Sequence, residues 1–187
     1  MILKNIALVE YDAKTIALVV AFFVVGFGYF MIKEHINTKK GENGEDLAKV
    51  REVLKRLLPD YSTYTTAYAD HKDKVYRGRS TTTTYYKYAV AFKPGALFLV
   101  PVKYSGGEIS YQSNGVLFTP QDLGKVEADK YGDTVLFGLD GKEICHFDVG
   151  ASYTKQDKYE PLNIQQKPEH EAYKAFIQEF AAQVNKC

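Results

Sequence analysis

Three hydrophobic periodicities divide the chain. Thr15–Ile32, TIALVVAFFVVGFGYFMI, is eighteen residues without a formal charge, eleven of them Leu, Ile, Val or Phe. A helix of that length covers roughly 27 Å, close to the hydrocarbon thickness of a bilayer. No polar stripe runs along it, as one would on a core helix of a soluble domain, so the pattern predicts a transmembrane helix. The run is longer than a signal-peptide apolar core, and Lys33-Glu34-His35 follows it without a small-x-small cleavage site. It therefore reads as an uncleaved anchor, preceded by a short segment over 1–14.

Beyond the span the period becomes 3.6. After a polar linker, Leu47, Val50, Val53, Leu54, Leu57 and Leu58 recur at helical spacing, with Lys49, Arg51, Glu52 and Lys55 on the other side. Pro59-Asp60 ends this helix. A partly basic amphipathic helix suits a membrane surface, but six aliphatics in one stripe favour docking on a folded domain. Residues 33–60 form one unit of linker and helix.

From Tyr61 the period is 2. In Ser80–Phe92, Thr82, Thr84, Tyr86, Tyr88, Val90 and Phe92 face one way, and Thr83, Tyr85, Lys87, Ala89 and Ala91 the other. That is a half-buried strand. Lys93-Pro94-Gly95 turns into a strand over 96–104, apolar on both faces through Leu97–Val100, where Pro101 implies an edge or a bulge. Short strands follow at 109–112, 116–119 and 125–129, with Asn114-Gly115 as a tight turn and Pro120–Leu123 as a helical turn. Thr134–Leu139 and Lys142–Val149 flank Asp140-Gly141, the clearest hairpin signal in the chain. Cys145, Phe147 and Val149 share a face, away from His146 and Asp148. Ser152–Gln166 reads as a polar connection. Tyr173, Phe176, Ile177, Phe180 and Val184 then mark a closing helix that starts near Pro168.

Composition narrows the function more than it defines it. The chain is close to neutral, +1 overall, and without the five lysines and three acids of residues 1–40 its tail is near −1. A nucleic-acid binder would carry a strong basic excess. Cys145 and Cys187 give no disulfide framework, although one bridge remains open.

The element order, the run NGVLFTPQDLGKVEAD, and LFGLDGKEICHFDVG ahead of a final helix together resemble the pleckstrin-homology superfold. They are similar to its small bacterial PH-like and GRAM-like members. The resemblance covers Tyr61–Cys187 and implies an α+β fold: a partly open β-barrel closed by the C-terminal helix, with Phe176, Ile177 and Phe180 as its plug. Such a likeness says little about ligand.

Asp70–Arg79, DHKDKVYRGR, is the main binding candidate, read as the first strand-to-strand connection. Lys72, Lys74, Arg77 and Arg79 lie close together there. Phosphoinositide-binding members of the superfold place a Lys and an Arg-x-Arg in that connection, which implies contact with anionic headgroups. The spacing here is shorter, and Asp70 and Asp73 dilute the charge. The same charges would also discourage pairing at a free strand edge.

Enzyme signatures are absent. His35, His71, His146 and His170 are isolated in sequence, with no HExxH, GxSxG, GxGxxG or P-loop. Asp70, His71 and Asp73 are better explained as turn residues than as metal ligands. The expectation is a non-catalytic adaptor or scaffold that needs no cofactor or metal and binds a protein or lipid surface. A small membrane-tethered enzyme or transport accessory, with its site in the barrel mouth, is the alternative. Lys33, Lys39, Lys40, Lys49 and Arg51 outnumber Lys4 and Lys14 around the span, which places the tail in the cytoplasm.

Overall fold

A computed structural model describes residues 45–78, 80–105, 108–153 and 162–186. The proposed span, Thr15–Ile32, lies outside the described residues, as does Arg79. None of the helices described is long and apolar enough to cross a membrane.

The first element, α1 (Glu45–Leu57), opens with Glu45 and Asp46 and ends with Lys55 and Arg56, a charge order that complements the helix dipole. Strands β1 (Thr65–Arg77), β2 (Ser80–Lys93) and β3 (Ala96–Ser105) form an antiparallel meander. β4 (Glu108–Tyr111) and β5 (Val116–Phe118) both pair with β3. β6 (Lys125–Ala128), β7 (Asp133–Phe137) and β8 (Glu143–Asp148) form a second meander. β9 (Ser152–Tyr153) pairs with β10 (Ile164–Gln165), and α2 (Lys167–Val184) ends the fold.

The main sheet has eight strands in the order β4-β3-β2-β1-β8-β7-β6, with β5 beside β3. The two meanders meet at a single bridge, Asp70 opposite Asp148. Among the described residues the sheet is not closed into a barrel: no pairing joins β4 to β6. Pro101 falls where the outer neighbour of β3 changes, β5 pairing up to Leu99 and β4 from Val102. A residue without an N–H is cheaply placed at such a break.

Each face of the sheet is covered by one helix. Tyr173, Ile177, Phe180 and Val184 of α2 pack on Ala67, Ala69, Val90, Phe92, Leu97 and Leu99. Leu47, Val50, Val53, Leu54 and Leu58 pack on Tyr68, Ala89, Ala91, Phe98 and Val100. The alternation of strand side chains sends successive residues to different cores, which explains the doubly apolar run Leu97–Val100. The aliphatic stripe of α1 is thus buried against protein, as an unsatisfied apolar face requires.

Two glycines are dictated by local geometry. Gly115, at φ +77, leaves no room for a side chain, since a Cβ there would come within 2.7 Å of Phe98 and Val100. Gly141, at φ +76, supplies the left-handed residue of the Asp-Gly hairpin turn.

The connection read as polar contains a buried side chain with three hydrogen bonds to backbone. Gln166 is fully buried. Its Oε1 accepts from the Tyr68 N–H at 2.8 Å, and its Nε2 donates to the Tyr68 and Gly150 carbonyls, both at 2.8 Å. Its backbone N–H donates to the Ala151 carbonyl. One amide thereby ties β1, the segment after β8, and the start of α2.

Candidate functional site: a projecting ribbon and the cleft at its base

The basic segment is strand, not connection. β1 and β2 stay paired from Thr65–Phe92 out to Arg77–Ser80. Charges on both faces hide the period-2 signal that would otherwise have marked Asp70–Arg77 as β. β8 leaves β1 after Asp70 and β3 leaves β2 after Tyr88. Beyond those points the two strands project as a ribbon, exposed over most of its length.

Strand alternation divides the predicted binding residues. Lys72 and Lys74 share a face with Tyr76, Tyr85 and Lys87, and the Lys72 ammonium lies 4.9 Å from the centre of the Tyr85 ring. Arg77 is on the opposite face with Val75, and Arg79 lies outside the described residues. The four basic residues therefore do not form one patch; Lys72 and Lys74 do, together with aromatic rings. Tyr76 and Tyr85 are among the exposed large apolar residues of the molecule, as are Val75 and Tyr86 on the other side.

Where β1 and β8 separate, a cleft of about 420 Å³ opens at the base of the ribbon. His71 and His146, far apart in sequence, stack there with ring centres 3.7 Å apart. Tyr86 lies over the same His71 ring at 6.3 Å. The Asp133 carboxylate bonds His146 Nε2 at 2.7 Å, which places the proton on that nitrogen. Asp73, Tyr88, Glu143, Ile144 and Cys145 complete the walls. Nothing local in the sequence announces this convergence, because it depends on β8 pairing with β1.

The electrostatics follow from partial burial. Burial, then the neighbouring His146, pushes His71 down, so its neutral form is favoured. The Cys145 thiol is pushed up to about 12 by burial and by Glu143, and stays protonated at neutral pH. Asp70 is pushed up by burial. Asp148 rises to about 6, first through burial and then through Asp133 and Asp70, its register partners on either side. Among the described residues no group of three or more His, Cys, Asp or Glu is arranged to hold a metal ion.

Asp148 yields a pH prediction. Its folded-state pKa exceeds the ordinary 3.8, so the native state binds the proton more readily than the unfolded chain. Stability therefore falls as pH rises from about 4 through about 6. Asp148→Asn removes the ionised form and should stabilise the fold at pH 8 by about 1 kcal/mol, after allowance for solvent screening at a half-buried site. Denaturant melts at pH 8 and pH 4 check this: the gain should vanish at the lower pH, and a gain equal at both would exclude the electrostatic cause.

No protein-family model, no curated protein and no solved structure matches this chain.

Proposed function

We propose that the protein is a single-pass, membrane-anchored interaction module with a PH-like fold, whose ribbon docks on an anionic lipid surface on the cytoplasmic side. The fold reading is supported by the two meanders joined through β1 and β8, with α2 covering one face of the sheet. α1 on the other face is an addition to that plan. The anchor rests on the apolar run Thr15–Ile32, and the orientation on the lysines that flank it.

The observation that carries the function is the shared face of Lys72, Lys74, Tyr76 and Tyr85 on a projecting ribbon. Ammonium groups attract anionic headgroups, and tyrosines favour the membrane–water boundary, where one end of the ring is apolar and the other wet. A second reading, a small enzyme, is favoured by the stacked imidazoles and Asp133 in the cleft. Against it, burial keeps the cleft thiol protonated, so Cys145 is not an activated nucleophile.

Residues 41–187 form a compact unit, so a fragment starting at Gly41 is suited to vesicle sedimentation. It should bind vesicles containing phosphatidylglycerol and release as salt rises from about 0.05 to 0.5 M. Lys72→Glu with Lys74→Glu should weaken binding about 30-fold or more. Equal retention on neutral and anionic vesicles would end this reading.

A further inference from the structure

We infer that the cleft between β1 and β8 binds an alkylammonium ion. The inference stands on the cleft alone and does not depend on lipid docking. At about 420 Å³ the cleft is of a size that holds small ligands.

Its lining selects by charge. Asp73 comes from one wall and Glu143 from the other, and among the described residues neither lysine nor arginine lines it. The lysines at 72, 74 and 87 occupy the opposite face of the ribbon. Arg77 shares the cleft's face but lies out at the turn, paired with Ser80. An anion would meet two carboxylates with no cationic side chain among the described lining residues to offset them, and a neutral polyol would leave them without a counter-charge.

Four of the remaining lining residues present π faces, and Ile144 and Cys145 complete the lining. Tyr86 and Tyr88 line the cleft from β2, beside the stacked rings of His71 and His146. Aromatic rings attract ammonium and quaternary ammonium groups through their quadrupole, more strongly where water is partly excluded. An alkylammonium satisfies both features, its charge on the carboxylates and its methylenes or methyls on the rings. A bare metal ion does not, since no donor set converges among the described residues.

The imidazoles add a pH signature. His71 is faced by His146, Asp133, Asp73 and Glu143, with Tyr86, Tyr88 and the protonated Cys145 as neutral neighbours. Two imidazoles stacked at 3.7 Å are compatible when at least one is neutral. Acidification places positive charge on His71, and that charge competes with a bound cation. Binding should therefore weaken as pH falls.

Calorimetric titration of the full chain in a neutral detergent tests this, with putrescine and tetramethylammonium as probes and glycerol and acetate as controls. Both amines should bind saturably at pH 7.5 and the controls should not. Asp73→Asn with Glu143→Gln, both at exposed positions, should weaken binding about tenfold, as should titration at about pH 5. An unchanged thermal melt of the double variant separates lost binding from lost folding. Glycerophosphoethanolamine set against putrescine tells a lipid headgroup from a free polyamine, since the true source binds more tightly. Absence of saturable binding by either amine, equal binding of glycerol, or full affinity in the double variant would overturn the inference.

Discussion

Replacing Gln166 by alanine should destabilise the protein by about 3 kcal/mol, close to 1 kcal/mol for each of three buried partners left unpaired. The Tyr68 N–H, the Tyr68 carbonyl and the Gly150 carbonyl all lose their bond to the one side chain. A loss of that size is a large part of a typical domain's stability of about 5–15 kcal/mol. Gln166→Glu should be no better. It keeps the acceptor for Tyr68 but turns an oxygen toward two carbonyls that need a donor. Denaturant midpoints with unchanged slopes measure the effect. A loss well under 1 kcal/mol would mean that water takes over the three bonds and that the latch is unimportant.

Phe180→Ala should cost about 3–5 kcal/mol, the usual range for emptying a buried aromatic site. Phe180 is fully buried between α2 and the sheet, in the cluster that includes Tyr173, Ile177 and Val184. Phe176, one turn away and only partly buried, packs tilted against Phe180 with ring centres 5.3 Å apart. Its alanine variant should cost about half as much, because less apolar area leaves water. Equal losses at the two positions, by the same denaturant melts, would show that α2 does not pack on the sheet through the stripe assigned to it.

Periodicity made most of the framework legible. The stripe of α1, the alternation of β2, the Asp-Gly hairpin between β7 and β8, and the stripe of α2 all appear in the structure near the expected boundaries. Their signals are local, since a helix or strand that buries one face must repeat apolar residues at its own period. β1 was legible only in part. Residues 72–77 are exposed on both faces, so no apolar period marks them, and the basic residues looked clustered when strand alternation separates Arg77 from Lys72 and Lys74.

The remaining misses depend on long-range pairing. Gln166 looked like part of a polar connection, yet its amide bonds both backbone groups of Tyr68 much as a neighbouring strand would. His71 and His146 meet only because β8 folds back beside β1, at the single bridge from Asp70 to Asp148. Neither could be found from spacing, and the two-helix cover of the sheet likewise follows from topology.

The claim that the ribbon is the surface that meets anionic lipid can be tested at single positions. The chain has no tryptophan, so one introduced indole is a unique reporter. Tyr76, 71% exposed at the ribbon, and Tyr131, 66% exposed in the loop before β7, are matched in exposure and far apart in the fold. The measurement is tryptophan fluorescence of full-length Tyr76→Trp and Tyr131→Trp in nanodiscs carrying nitroxide-labelled lipid. With phosphatidylglycerol present, emission at position 76 should shift to the blue and be quenched, both effects should fade at high salt, and position 131 should not respond. Quenching equal at the two positions, or greater at 131, would contradict the account.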